Sequence, residues 1–220
     1  MILAIQKEEI LELLKLQLNN FFVLKDEEAD LLLLNFDLVL SRCEKCFAQN
    51  TNKYYNTNGQ VYFNPYHSVQ YMIFLYFYSN TIYNSGNRNT FLCDKIYYLN
   101  KMLNGVDLLY AVKLPDIWGA EHPIGSVIGR AEIGDGFIFF QNCTIGGIEG
   151  PDGHEIYPVI GSNVHLYANS SIIGKCIIGD DVNIGAGALV KNQDIPKNSN
   201  VFGQSPNLII KPKKNSNEIL

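Results

Sequence analysis

No run of apolar residues in this sequence reaches the length of about 18 that a membrane span requires. The first residues, Met1 to Gln6, lead at once into Lys7, Glu8 and Glu9 rather than into the apolar core of a leader peptide. The expectation is a cytoplasmic protein. Basic charge is short as well: 17 Lys and Arg against 22 Asp and Glu give a net charge of −5, so no basic footprint exists for nucleic acid and none is expected as a partner. Metal-binding patterns are equally thin. Cys43 and Cys46 form a CxxC with no second pair and no HxxxH near it, and read as part of a polar helix end. Cys143 and Cys176 fall at small inward positions of a repeat and read as packing residues. What remains, 47% hydrophobic and 18% charged over 220 residues, fits one or two ordinary globular domains.

The repeat runs from about Val127 to Val190. Its inward candidates are Val127, Ile133, Phe139 and Ile145, then Ile160, Leu166, Ile172, Ile178, Ile184 and Val190, each six residues from the last within its run. Two places before them stand mostly small or β-branched residues, among them Ala131, Cys143, Val164, Ser170, Cys176, Val182 and Ala188, with Phe137 and Pro158 as misfits. A helix needs apolar spacings of three and four, and hairpins need longer alternating runs between turns; a strict six is a solenoid pattern. The step from Ile145 to Ile160 is fifteen instead of twelve, which predicts an excursion of about three residues within Gly146 to Pro158. That excursion carries His154.

Before the repeat the chain is helical. Leu3 to Phe22 reads as an amphipathic helix with Leu3, Ile10, Leu13, Leu14 and Phe21 on one face. A second helix is expected over Glu27 to Ala48, a loop over Thr51 to Gln60, a third helix over Ser68 to Tyr83 and a fourth over Asn89 to Asn104, handing over to strand at Val106. The run Tyr71 to Tyr78 is apolar all round and reads as buried. The expected division is 1–104 helical, 105–205 solenoid and 206–220 a polar tail, an α+β chain.

Between Val106 and His154 this sequence resembles serine acetyltransferases. Val106-Asp107 precedes His122 by fifteen residues, as a catalytic VD dipeptide precedes the first catalytic histidine in that family. Pro123 to Gly129 reads PIGSVIG; Gln141, Thr144, Gly146 and Gly147 match QxxTxGG; and His154 stands where a second histidine follows on a loop. Upstream, Pro65-Tyr66-His67-Ser68-Val69-Gln70 is similar to the family's GFHxxQ segment, and downstream Ile184 to Gly187 match IGAG, so the resemblance covers roughly residues 60 to 212. It implies a left-handed parallel β-helix of triangular section, three six-residue segments per coil, behind a helical amino-terminal domain. Coils about 4.8 Å apart would then stack residues eighteen apart. It further implies an acetyl-CoA-dependent acetyltransferase that is a homotrimer or a dimer of trimers.

The chemistry implied is general-base acyl transfer. An acceptor hydroxyl has a pKa far above 7, so a base must take its proton as it attacks the thioester of acetyl-CoA. The resemblance makes His122 that base, Asp107 the group that holds its tautomer and stabilises the imidazolium, and His154 an acceptor contact from a neighbouring subunit. A backbone N–H of the Gly146-Gly147 turn would meet the oxyanion, and Gly147, Ala168 and Ala186 would line the pantetheine groove. No metal is expected, because no three ligands at zinc spacing accompany these groups. His67 and His165 read as structural.

Departures from the family fall at the acceptor. Where the family grips the amino acid with Asp and Arg before its two histidines, this chain has Glu121 and Gly153, and Arg130 replaces the Glu after VIG. A missing Arg removes a charge-assisted bidentate contact, so poor discrimination in favour of free L-serine is expected unless Arg130 restores the contact. Three readings follow: O-acetylation of serine for cysteine biosynthesis, acetylation of a sugar hydroxyl or amine in surface polysaccharide synthesis, or an inactive solenoid used in assembly.

Overall fold

The computed structural model describes residues 1–50 and 52–213. Chain contacts divide it into two compact units, Met1–Ala111 and Val112–Leu220; within the second, residues 214–220, the end of the expected polar tail, lie outside the described residues.

The first unit has four helices, α1 (Lys7–Phe21), α2 (Asp26–Ala48), α3 (Ser68–Asn84) and α4 (Thr90–Asn104), and a small sheet in which Gln60–Phe63 pairs with Ile2–Leu3 in parallel and with Asn56–Thr57 antiparallel. Leu3 is therefore strand rather than helix, and α1 buries Ile10, Leu11, Leu14 and Leu18 while Phe21 stays 56% exposed. Helix α3 is the centre of this unit. Apolar all round, it can be stable only if surrounded, and every residue from Gln70 to Ile82 is buried. Its polar side chains then need partners. Gln70 accepts from the Asn64 N–H at 2.7 Å and donates to the Tyr54 carbonyl at 2.8 Å, and Asn80 donates to the Tyr110 carbonyl at 2.8 Å. His67 caps α3, its ring accepting from the Gln70 N–H. Asn89 caps α4, and Gly105, at φ 61°, ends it. Cys43 and Cys46 lie on the packed face of α2, both buried, so the expected polar helix end is a piece of apolar core.

Val106 is not the first strand of the solenoid; the coils begin at Trp118–Ala120. Three parallel sheets follow one another around each coil. The first contains Trp118–Ala120, Phe137–Phe139, His165–Leu166, Asn183–Ile184 and Ser199–Phe202, the second Val127–Ile128, Thr144–Gly146, Ser171–Ile173 and Leu189–Lys191, the third Glu132–Ile133, Val159–Ile160 and Ile177–Ile178. Ile172 pairs with Val190 and Leu166 with Ile184, eighteen residues on in each case. From Phe139 to Val190 the inward residues are the expected ones, each no more than 2% exposed, and Cys143, Val164, Ser170, Cys176, Val182 and Ala188 fill the small buried positions beside them.

Two expectations change. Ile128, not Val127, points inward: Ile128 pairs with Ile145, seventeen residues on, and leaves Val127 43% exposed. In a strand a shift of one residue exchanges the two faces. The excursion is also longer than three residues. Ile145 pairs with Ile172, a coil of 27 residues, because Ile145 and Ile160 occupy successive sheets, one six-residue step apart rather than two. Nine residues are thus extra, and they form a hairpin in which Ile148–Glu149 pairs antiparallel with Glu155–Ile156. At the far end, Ile209–Pro212 turns back antiparallel onto Ser199–Phe202.

Candidate active site

His122 stands at the corner between the first and second sheets with φ 51°. Left-handed backbone costs a side-chain-bearing residue roughly 1–2 kcal/mol, and Asn, Asp and, among larger side chains, His are the residues found there most often. Asn142, Asn163, Asn169, Asp181, Asn192 and Asn198 take it at the other coil corners, and His122 is the one that is neither Asn nor Asp among the described non-glycine residues with positive φ. Its corner is pinned on both sides. The Glu121 N–H donates to the Phe139 carbonyl at 2.9 Å, and the Ile124 N–H donates back to the His122 carbonyl at 2.8 Å. The imidazole itself is exposed and Glu121 half-buried. A left-handed residue with its side chain presented to solvent is a feature that clusters at functional sites, and it makes His122 a candidate for chemistry.

Ala168 and Ala186 lie at that same corner on later coils, the Gly187 N–H donating to the Ala168 carbonyl at 2.9 Å. Gly146, Gly147, Arg130 and the His154 hairpin stand at the opposite, C-terminal ends of the second sheet's strands. One chain therefore places His122, Ala168 and Ala186 at one corner and Gly147, Arg130 and His154 at the other.

The hairpin that carries His154 is tightly turned. The Gly150 N–H donates to the His154 carbonyl at 2.7 Å, and the His154 N–H to the Asp152 carboxylate at 3.1 Å. Gly153 takes φ 78° with no other atom near its Cα hydrogens. A side chain there has room, on a backbone conformation that favours glycine. The His154 ring is exposed.

In the first unit, Asp107 accepts from the Tyr97 hydroxyl through Oδ1 and from Lys101 Nζ through Oδ2, both at 2.6 Å. Burial alone would raise its carboxyl; the hydrogen bonds from Lys101 and Tyr97, with the lysine's charge, outweigh that and hold it below the usual carboxylate value of 3.8. A carboxyl depressed by folding adds stability above its unfolded pKa and loses it as the pH falls through the folded one. Asp107→Asn is therefore expected to lower Tm at neutral pH, and that difference should close as the pH falls below the usual carboxylate value and through the lower folded one. The effect is small, since Lys101 is 48% exposed and solvent screens the pair. Thermal melts across the acid range measure it, and a gap that does not vary with pH would contradict it. Neither Tyr97 nor Lys101 was marked by any motif; only their spacing from one another along α4 hints that they share a face.

Coils of six-residue segments stacked in three parallel sheets define a hexapeptide-repeat protein, and residues 157–192 match the bacterial transferase hexapeptide (six repeats) family. A serine acetyltransferase of Helicobacter pylori is 30% identical over 124 residues, 56% of this chain and 71% of that protein. One from Synechococcus elongatus is 33% identical over 107 residues, but the match spans only 43% of its length. The chain belongs to the serine acetyltransferase family. A crystal structure of Neisseria gonorrhoeae serine acetyltransferase in complex with serine superposes with a TM-score of 0.63 at 26% identity, covering 84% of this chain and 73% of that one. The solenoid is accordingly the left-handed β-helix of that family.

Proposed function

We propose that this protein transfers the acetyl group of acetyl-CoA to the hydroxyl of L-serine, giving O-acetyl-L-serine and CoA. The observation that carries the reading is His122, an exposed imidazole on a strained, doubly pinned corner in a chain related to serine acetyltransferases. His122 takes the hydroxyl proton as the oxygen attacks the thioester carbonyl. An N–H of the Gly146-Gly147 turn stabilises the oxyanion. Collapse breaks the carbon–sulfur bond, and the departing thiolate recovers the proton from the imidazolium. Asp107 is the dyad carboxylate; its hydrogen bonds to Tyr97 and Lys101 keep it ionised, the state that role requires. Ala168 and Ala186 line the approach of the thiol arm, and Glu121 and Arg130 meet the acceptor. The test is thiol release from acetyl-CoA against a panel of L-serine, homoserine and free or nucleotide-linked sugars. Release with L-serine supports the proposal. Release with sugars alone would replace it by the second reading, which the absence of a cation at Gly153 favours.

The protein works as a homotrimer or a dimer of trimers. In one chain His122 and His154 stand at opposite ends of the second sheet, so a common site needs His154 of a neighbouring copy. Mixtures of His122→Ala and His154→Ala subunits, refolded or co-expressed, are expected to regain activity that neither variant has alone. No recovery, with mixed oligomers demonstrably formed, would place both histidines' work within one chain.

A further inference from the structure

Where the hairpin leaves the coil the chain has Gly147, and where it returns it has Tyr157. These two positions touch. A methyl group placed on Gly147 would lie 2.7 Å from both Cδ1 and Cε1 of the Tyr157 ring, so the glycine is the seat into which the ring fits, and the ring closes the neck of the excursion. The Tyr157 hydroxyl donates to the Glu155 carboxylate on the returning strand. From the coil before, Arg130 Nη1 reaches the same hydroxyl at 3.5 Å. Arg130 is carried there by Gly129, whose N–H donates to the Ile145 carbonyl at 2.9 Å. The guanidinium is exposed and makes no ion pair among the described residues. It is thus a cation with most of its donors uncommitted, standing at the foot of the hairpin that carries His154. The backbone at Gly153, at φ 78°, is poorly suited to bear a cation closer to that histidine.

We infer that Tyr157 is a positioning residue for acceptor recognition: its ring, seated on Gly147, clamps the neck of the His154 hairpin, and its hydroxyl, held by Glu155, aims Arg130 at the carboxylate of an amino-acid acceptor. The inference rests on the serine reading above for its ligand, but not for its clamp. A carboxylate accepts two parallel N–H donors from a guanidinium that is fixed in direction, and loses most of that gain when the guanidinium wanders. The Tyr157 hydroxyl directs its one O–H to the Glu155 carboxylate, so its oxygen lone pairs accept from the Arg130 guanidinium.

The experiment compares Tyr157→Phe, Arg130→Met and the double variant for KM and kcat with L-serine and with acetyl-CoA. Tyr157→Phe keeps the ring on Gly147 and removes only the hydroxyl. It is expected to raise the L-serine KM about tenfold, as for loss of a contact to a charged group, with the acetyl-CoA KM little changed. The double variant should be no worse than Arg130→Met alone, because the hydroxyl acts through the guanidinium. Equal loss for both substrates, or additive effects in the double variant, would overturn the aiming role. The clamp has its own readout. Tyr157→Ala should speed amide hydrogen exchange at Gly150, Gly153 and His154 while leaving the buried coil amides at Ile172 and Ile184 protected. Unchanged hairpin exchange would overturn the clamp whether or not serine is the acceptor. Absence of thiol release by the wild-type protein would instead refute the serine reading.

Discussion

Replacing His122 by alanine is expected to lower kcat by about two to four orders of magnitude and to leave the KM for acetyl-CoA nearly unchanged, because general-base catalysis is worth that much and the base contributes little to holding the thioester. The left-handed backbone at this corner makes a sharper control available. Asn tolerates the φ of 51° that His122 adopts, so His122→Asn should be as inactive as His122→Ala while its Tm equals or exceeds the wild-type value. Asp107→Asn is expected to fall in the same direction but less far, since an orienting carboxylate transfers no proton. Initial rates of thiol release at saturating acetyl-CoA measure all three. Turnover near the wild-type level in either His122 variant would remove the imidazole from the mechanism.

L-Serine should be preferred over serine amide by about a hundredfold in kcat/KM, close to 3 kcal/mol of carboxylate recognition, and Arg130→Met should erase most of that preference. The expectation runs against the first impression left by Gly153, which offers no cation. It follows from the placement of Arg130, on the coil that precedes the hairpin and within reach of Tyr157. Charge-assisted, bidentate pairing is strong enough to supply the whole ratio from one side chain. Equal and feeble rates on serine and its amide would show that no group reads the carboxylate and would turn the search toward sugars.

What could be read in advance was whatever repeats. From Phe139 to Val190 the spacing of six named each inward residue, because every sheet of the coil buries one side chain per visit and the turns allow no other period. The span of the fourth helix, expected over Asn89 to Asn104 and found over Thr90–Asn104, was equally legible, since the signals that start and stop a helix are local. The misses share a different cause. Val127 and Ile128 are both aliphatic, and only the seventeen-residue pairing with Ile145 tells which one faces in. The fifteen residues from Ile145 to Ile160 could be two segments with three extra or one with nine; composition does not decide, and the ladder to Ile172 and Ile178 does. At the site, His122, His154 and Asp107 were found through a resemblance, which carries residue identity but not conformation. The backbone strain at His122, the seat of Tyr157 on Gly147 and the grip of Tyr97 and Lys101 on Asp107 arise from residues brought together by stacking or by a helix turn, and no period in the chain announces them.

The antiparallel return of Ile209–Pro212 onto Ser199–Phe202 bears on a hazard that every stack of parallel strands carries. A coil is a template for the next one, and two molecules meeting end to end could in principle continue each other as a fibre. A strand running the wrong way breaks the copying rule on the sheet that contains it, because the row of donors and acceptors it offers outward is out of phase with that of an incoming coil. The last described strand of this protein thus works as a full stop, and shortening the chain before Ile209 should be felt first as clumping in concentrated solution rather than as loss of chemistry.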